Sequence, residues 1–281
     1  MLMWLLFVVL FQRRQFLEVA LKSLSVDVIE VLLKAIKVLN EAGNLDPDDD
    51  PSECEAALEE ILEYVDRIDF ANDFHKIGGF SILHACLNSP HASIRWRTAQ
   101  LVAELTQNNP YCQHHVLEAS LLPVLLSLLD SDNSQMVRIK SLYALSSLVR
   151  NNEVALKAFQ QLDGFSVLLR ALQSDVEKLQ VKVAFFLSAL KQDDVREELL
   201  KMGFVELFAT LVSREVSHAT EHLLSALLMV VTDSPVAQAE CRRPEFQLRR
   251  CLVELQDSCC GKEEYQVQQC RFFSTGPAYL T

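Results

Sequence analysis

Apolar residues recur three and four positions apart through most of this chain, the period of an amphipathic helix. The segment IRWRTAQLVAEL, Ile94 to Leu105, shows the pattern, with Trp96 between Arg95 and Arg97 and off the apolar face. The same pattern returns as VRIKSLYALSSL (Val137 to Leu148) and LQVKVAFFLSAL (Leu179 to Leu190). Four shorter segments also line up: GFSILHACLNS from Gly79, LLPVLLSLLDS from Leu121, GFSVLLRALQS from Gly164 and GFVELFATLVS from Gly203. Their second residues, Phe80, Leu122, Phe165 and Phe204, stand 42, 43 and 39 positions apart. A further helix starts about seventeen residues after each, around Arg97, Lys140, Lys182 and Glu221. A period of about 40 with two or three helices per unit is that of a HEAT or armadillo solenoid. The Gly-Phe opening favours armadillo, because glycine permits a tight interhelix turn before a buried helix.

The pattern therefore predicts an all-α chain, an armadillo-like right-handed α-solenoid with four central repeats and helical caps. Residues 1–12 are an apolar segment, 13–43 N-terminal helices, 44–53 an acidic linker and 54–78 a helical cap. Residues 79–243 hold the repeats, 244–266 a C-terminal helical cap and 267–281 an irregular tail. In the linker, Asp46, Asp48 and Asp50 begin like a calcium loop, but Pro51 and Ala57 stand where Gly and Glu are required. Ser52 is expected to cap the next helix, with Glu55 completing a capping box.

Aligning the last helix of each unit separates two faces. Ile94, Val137 and Leu179, then Val102, Leu145 and Leu187, then Leu105, Leu148 and Leu190 fall on the buried side. The opposite side carries Arg97, Gln100 and Glu104; Lys140, Tyr143 and Ser147; Lys182, Phe185 and Ala189; Glu221, Leu224 and Leu228. Trp96, Ile139, Val181 and Thr220 border that stripe. Stacked along the concave surface of an armadillo fold, it becomes a groove with a basic row beside aromatic residues. Aromatic residues and arginine anchor protein interfaces. Trp96, Arg97, Gln100, Glu104, Lys140, Tyr143, Ser147, Lys182, Phe185 and Glu221 are the expected partner-binding residues.

Charge and chemistry narrow the function. The net charge is −12 and no basic run is present, which argues against nucleic acid as a partner. The eight cysteines show no Cys-x-x-Cys spacing and read as reduced thiols rather than a disulfide frame. Cys112, His114 and His115 lack a second ligand pair at metal spacing, so no metal is expected. His218 and His222 are four apart on one helix without a third ligand. There is no Gly-rich phosphate loop and no Gly-x-Ser-x-Gly, so the chain reads as a binding module and not an enzyme. Met1 to Phe11 is too short an apolar run to span a bilayer, and no stable membrane insertion is expected. The run lacks a basic start and a small-residue cleavage site, so signal segment, alternative start and irregular gene model all stay open.

Several stretches resemble the 70-kDa heat-shock-protein-binding protein family: RWRTAQLVAELTQN (Arg95 to Asn108), VRIKSLYALSSLVR (Val137 to Arg150), LDGFSVLLRALQ (Leu162 to Gln173) and EHLLSALLMVVTDSP (Glu221 to Pro235). RRQFLEVAL near the start and ECRRPEFQL near the end add to it, over roughly residues 13 to 266. The resemblance implies an armadillo-type nucleotide exchange factor, a co-chaperone with no cofactor. It would embrace one lobe of the ATPase domain of a 70-kDa heat-shock protein with its concave face, favour the open cleft and so promote ADP release. It implies a monomer in the cytoplasm, or a relative in the endoplasmic reticulum lumen if residues 1–11 act as a signal. The remaining alternative is an unrelated armadillo adaptor for peptide or protein partners. Family members usually begin with a polar extension, where this chain has Met1 to Phe11.

Overall fold

The computed structural model describes residues 27–190, 192–214 and 219–259. The apolar start, the first half of the N-terminal helices, the last residues of the C-terminal cap, the tail and His218 lie outside the described residues. Among the described residues every regular element is helical. Helix α1 (Val28–Leu39) is capped by Asp27, whose carboxylate accepts the Glu30 N–H at 3.3 Å. Helix α2 (Ser52–Leu62) follows the acidic loop. Ser52 does not cap it. Pro51 occupies the cap position, and the Asp50 carboxylate instead accepts the Ser52 N–H at 3.0 Å. The Asp50 side chain, one residue too early to cap the helix, ties down the loop that leads into it.

From here the helices come in threes. The first triplet is α3 (Ile68–Lys76), α4 (Leu83–Leu87) after a 3₁₀ turn at Gly79–Ile82, and α5 (Ala92–Thr106). The second is α6 (Pro110–Glu118), α7 (Leu121–Ser131) and α8 (Gln135–Val149). The third is α9 (Glu153–Gln161), α10 (Gly164–Gln173) and α11 (Glu177–Ser188). The fourth is α12 (Asp193–Lys201), α13 (Phe204–Arg214) and α14 (Thr220–Val231). Helices α15 (Pro235–Cys241) and α16 (Leu248–Cys259) close the array. The last helices α2, α5, α8, α11 and α14 pack side by side in that order, and α4, α7 and α10 form a second row. One continuous apolar core runs between them.

The turns between triplets have a repeated chemistry. Asn108, Asn151 and Asp233 take left-handed backbone angles, which short polar side chains tolerate best after glycine. The next residue, Asn109, Asn152 or Ser234, caps the first helix of the following triplet. Proline then opens α6 and α15. The buried amides also cross between triplets. Asn109 Nδ2 donates to Asn72 Oδ1 at 3.0 Å, and Asn152 Nδ2 to Gln113 Oε1 at 3.1 Å. Gln113 in turn donates to the carbonyls of Thr106 and Ser147. A register slip between triplets would orphan several buried polar groups at once.

The glycine that opens the second helical segment in the first and third triplets has a different role from the one sequence suggests. The left-handed residue is the one before it: Gly78, Ser120, Asp163 and Gly203, spaced 42, 43 and 40 apart. Gly79 and Gly164 are needed for closeness. A Cβ there would sit 2.5 Å from the ring of Phe74 or Phe159, five residues earlier. In the fourth triplet the pair differs: Leu199 replaces the phenylalanine and Phe204 replaces the glycine, both fully buried. The close approach of a ring to a bare backbone is therefore lost there, and two large side chains fill the junction instead. This exchange moves Phe204 one position, so the fourth repeat aligns with a period of 40 from the third, not 39.

Candidate functional site: the face of the last helices

The rows assigned to the core are buried: Ile94, Val137, Leu179, Val102, Leu145, Leu187, Leu105, Leu148 and Leu190. The exposed stripe holds for three triplets and shifts in the fourth. With the corrected period, Leu224 belongs to the core and is buried, and Glu221 takes the bordering position of Trp96, Ile139 and Val181. His222, Ser225 and Met229 continue the stripe instead. His222 meets Phe185 edge-on, with ring centroids 6.3 Å apart.

The two arginines around Trp96 serve different neighbours. Arg95 reaches forward: Nε and Nη2 donate to both oxygens of Asp132 at 2.8 and 3.1 Å, tying α5 to the turn that opens α8. Arg97 reaches back to α2, where Glu59 accepts from Nε and Nη2 at 2.9 and 2.6 Å and Glu55 stands at 3.4 Å. Its side chain is only 14% exposed. Arg97 is therefore the strut between α2 and α5, and its charge is already matched. Trp96 lies between cations, with the Arg97 guanidinium 4.3 Å and the Lys140 ammonium 5.9 Å from its ring centroid. Such pairs contribute roughly 0.5–1 kcal/mol at exposed sites and more when desolvated.

The basic row thus begins at Lys140 rather than Arg97. Burial and the charge of Lys182 both push the Lys140 ammonium below its usual range, while Glu104 acts in the opposite direction. Lys182 lies over the Tyr143 ring at 5.8 Å. The Tyr143 hydroxyl donates to Gln107, with Glu104 at 3.5 Å, and burial holds its proton on more tightly than usual. Phe185 is 48% exposed although large and apolar. Gln100 and Ser147 stand half-buried along the same face.

Arg150 was not part of the sequence-derived stripe, and the structure adds it. Its guanidinium lies 5.2 Å from the Phe185 centroid. Lys140, Tyr143, Ser147 and Arg150 follow the spacing i, i+3, i+7, i+10, so extending the stripe by one turn would have found it. Tyr143, Ser147, Arg150, Lys182 and Phe185 wall a recess of about 290 Å³ between α8 and α11. This recess offers two cations, Arg150 and Lys182, on aromatic supports and an exposed ring, and Lys140 stands one turn before Tyr143 on α8. It suits a carboxylate-bearing protein surface: a carboxylate placed there relieves the mutual repulsion of Lys140 and Lys182.

A family model, that of the SIL1/FES1/HPBP1 C-terminal domain, matches residues 70–202. Hsp70-binding protein 1 of Mus musculus is 38% identical over 266 residues, covering 91% of this chain and 74% of the relative. The protein named Hsp70 nucleotide exchange factor FES1 of Mycosarcoma maydis is 35% identical over 138 residues, 49% of this chain and 35% of the relative. Among solved structures, a designed armadillo repeat protein in complex with the peptide (KR)4 superposes with a TM-score of 0.71 at 15% identity, covering 89% of this chain and 99% of that one. That likeness shows the fold: an armadillo-type α-solenoid whose stacked last helices form one face. On the relatives' identity and coverage, the chain belongs to the SIL1/FES1/HPBP1 family.

Proposed function

We propose that this protein is a co-chaperone that grips the ATPase domain of an Hsp70 chaperone with its concave face and accelerates ADP release. The observation that carries the reading is the 38% identity to Hsp70-binding protein 1, extending over 91% of the chain and so through all the described triplets. Lys140, Lys182, Arg150, Tyr143 and Phe185 form the centre of the contact, with Trp96, Gln100, Glu104, Ser147 and Glu221 around it. Arg97 acts from beneath by holding α2 against α5. No bond is made or broken by this chain. It works by binding the open nucleotide cleft better than the closed one.

The free, mostly buried thiols Cys54, Cys86, Cys112, Cys241 and Cys251 support a cytoplasmic location, where thiols stay reduced. Burial pushes Cys86, Cys112 and Cys241 up to about 12, so they stay protonated and unreactive at neutral pH. Among the described residues no single helix is long and apolar enough to cross a membrane.

Exchange by differential binding has a thermodynamic signature. If the chain weakens nucleotide binding, nucleotide must weaken the chain's binding by the same factor. Titration of the chain into an isolated Hsp70 ATPase domain is expected to show affinity about tenfold or more higher without nucleotide than with saturating Mg-ADP. Tight binding of equal strength in both states would leave an adaptor that holds the chaperone without opening it.

A further inference from the structure

A second cluster of side chains lies on α6, in the row of first helices and not among the last helices that carry the groove. His114 and Glu118 are four residues apart on this helix, His115 and Glu118 three apart, so all three rise from one side. His114 Nε2 stands 3.3 Å from Glu118 Oε1, and His115 Nδ1 stands 2.7 Å from Glu118 Oε2. One donor atom from each residue lies within 4.8 Å of the others. The third candidate that sequence offered, Cys112, turns the other way. It is buried, and its thiol points at the Ala71 carbonyl (3.7 Å) and Asn72 Oδ1 (3.6 Å). The fold thus removes a sulfur ligand and supplies a carboxylate.

The His115 ring is held from outside the donor set. It stacks on His75 of the preceding triplet at 3.9 Å and 14°. It also meets Tyr111 edge-on at 4.6 Å, and the Tyr111 hydroxyl bonds His75 Nδ1 at 2.8 Å. A buttress of this kind fixes ring orientation, which is what outer-shell partners do at metal centres. Two imidazoles and a carboxylate suit zinc and its neighbours among the first-row divalent ions. At metal–ligand lengths of about 2.0–2.1 Å, two ligands of a tetrahedral centre lie roughly 3.3 Å apart. The His114–Glu118 separation already has that length, the His115–Glu118 hydrogen bond need open by less than about 1 Å, and the two imidazole donors, within 4.8 Å of each other, need close by at most about 1.5 Å to admit an ion.

We propose that His114, His115 and Glu118 form a half-exposed binding site for a divalent cation of the zinc class, completed by water. His75 and Tyr111 position it. The site is on a different helix row from the groove, so it stands or falls independently of chaperone binding.

The test uses the untagged full chain and the metal alone. Zinc chloride is titrated by calorimetry in a non-coordinating buffer, and cobalt(II) is added in parallel as a spectroscopic probe. The expected result is one micromolar site that His115→Gln and Glu118→Gln each weaken roughly tenfold or more, with unchanged helical circular dichroism. The cobalt adduct should show visible ligand-field bands without thiolate charge transfer. Zinc affinity unchanged in both variants, a thiolate-bound cobalt spectrum, or no binding in the micromolar range would each overturn the assignment.

Discussion

Leu145→Asp is expected to destroy the cooperative fold. Leu145 is fully buried on α8, and α8 packs against α5, α7 and α11. Removing a buried leucine side chain costs about 2–5 kcal/mol by itself. The carboxylate that replaces it adds several more, because it is either buried charged or must take up a proton. Together these approach the roughly 5–15 kcal/mol that separates most folded domains from the unfolded state. The position makes the damage worse. In a solenoid each repeat is stabilised by its neighbours, and the second triplet lies in the interior of the array. Thermal melting followed by circular dichroism should lose its cooperative transition, and gel filtration should show aggregate. Leu145→Ala should show a graded loss of about 2–5 kcal/mol instead. A soluble Leu145→Asp protein with a wild-type melting curve would mean that α8 presents a different face to the core.

The second large effect is on binding. Lys140→Glu combined with Lys182→Glu should weaken the chaperone complex by roughly a hundredfold, with the melting temperature moved by only a few degrees. The pair is chosen because among the described residues neither lysine is in an ion pair, and each instead lies over an aromatic ring of the groove. Arg97→Glu would be a poor probe of the same face. It would place a third carboxylate beside Glu55 and Glu59 and loosen α2 from α5, so lost binding would report lost structure. Lys157→Glu with Lys201→Glu makes the same change in net charge on the first helices α9 and α12, and should leave affinity within about twofold. Surface plasmon resonance with immobilised ATPase domain measures both. Equal loss in the two double variants would mean that the effect is long-range charge and not contact at the groove.

Much of this architecture was legible in the sequence because the solenoid is periodic. Ile94, Val137 and Leu179 fall on one face by spacing alone, and their burial follows. Spacing alone misaligns the fourth repeat, because the glycine of GFVEL looks equivalent to the glycine of GFSVL. Gly203 is a left-handed turn residue, whereas Gly164 is flush against Phe159; the two have different physical reasons to be glycine. Only packing reveals that Leu199 and Phe204 stand where Phe159 and Gly164 do, with a large side chain in place of the glycine. That slip placed Glu221 in the stripe when His222 belongs there.

The site was less legible than the fold for a related reason. Local spacing shows which residues share a face but not which acids arrive from the next repeat. Arg97 reads as a free groove cation until Glu59, 38 residues away, comes to meet it. Arg150 lies one turn beyond Ser147, past the apolar repeat of its helix. His75 reaches His115 only because α3 and α6 are neighbours in the first-helix row. Each of these is a contact at about one repeat length, invisible to a helical wheel.

If this chain opens the nucleotide cleft of an Hsp70, it must speed the loss of bound ADP. This is tested most directly by stopped-flow release of a fluorescent ADP analogue from the chaperone, with excess unlabelled ATP, as the full chain is added at increasing concentration. The release rate is expected to rise with concentration and saturate, and the Lys140→Glu, Lys182→Glu chain to need much higher concentrations for the same effect. A release rate unchanged by folded protein, with the chaperone active toward a known exchange factor, would contradict it.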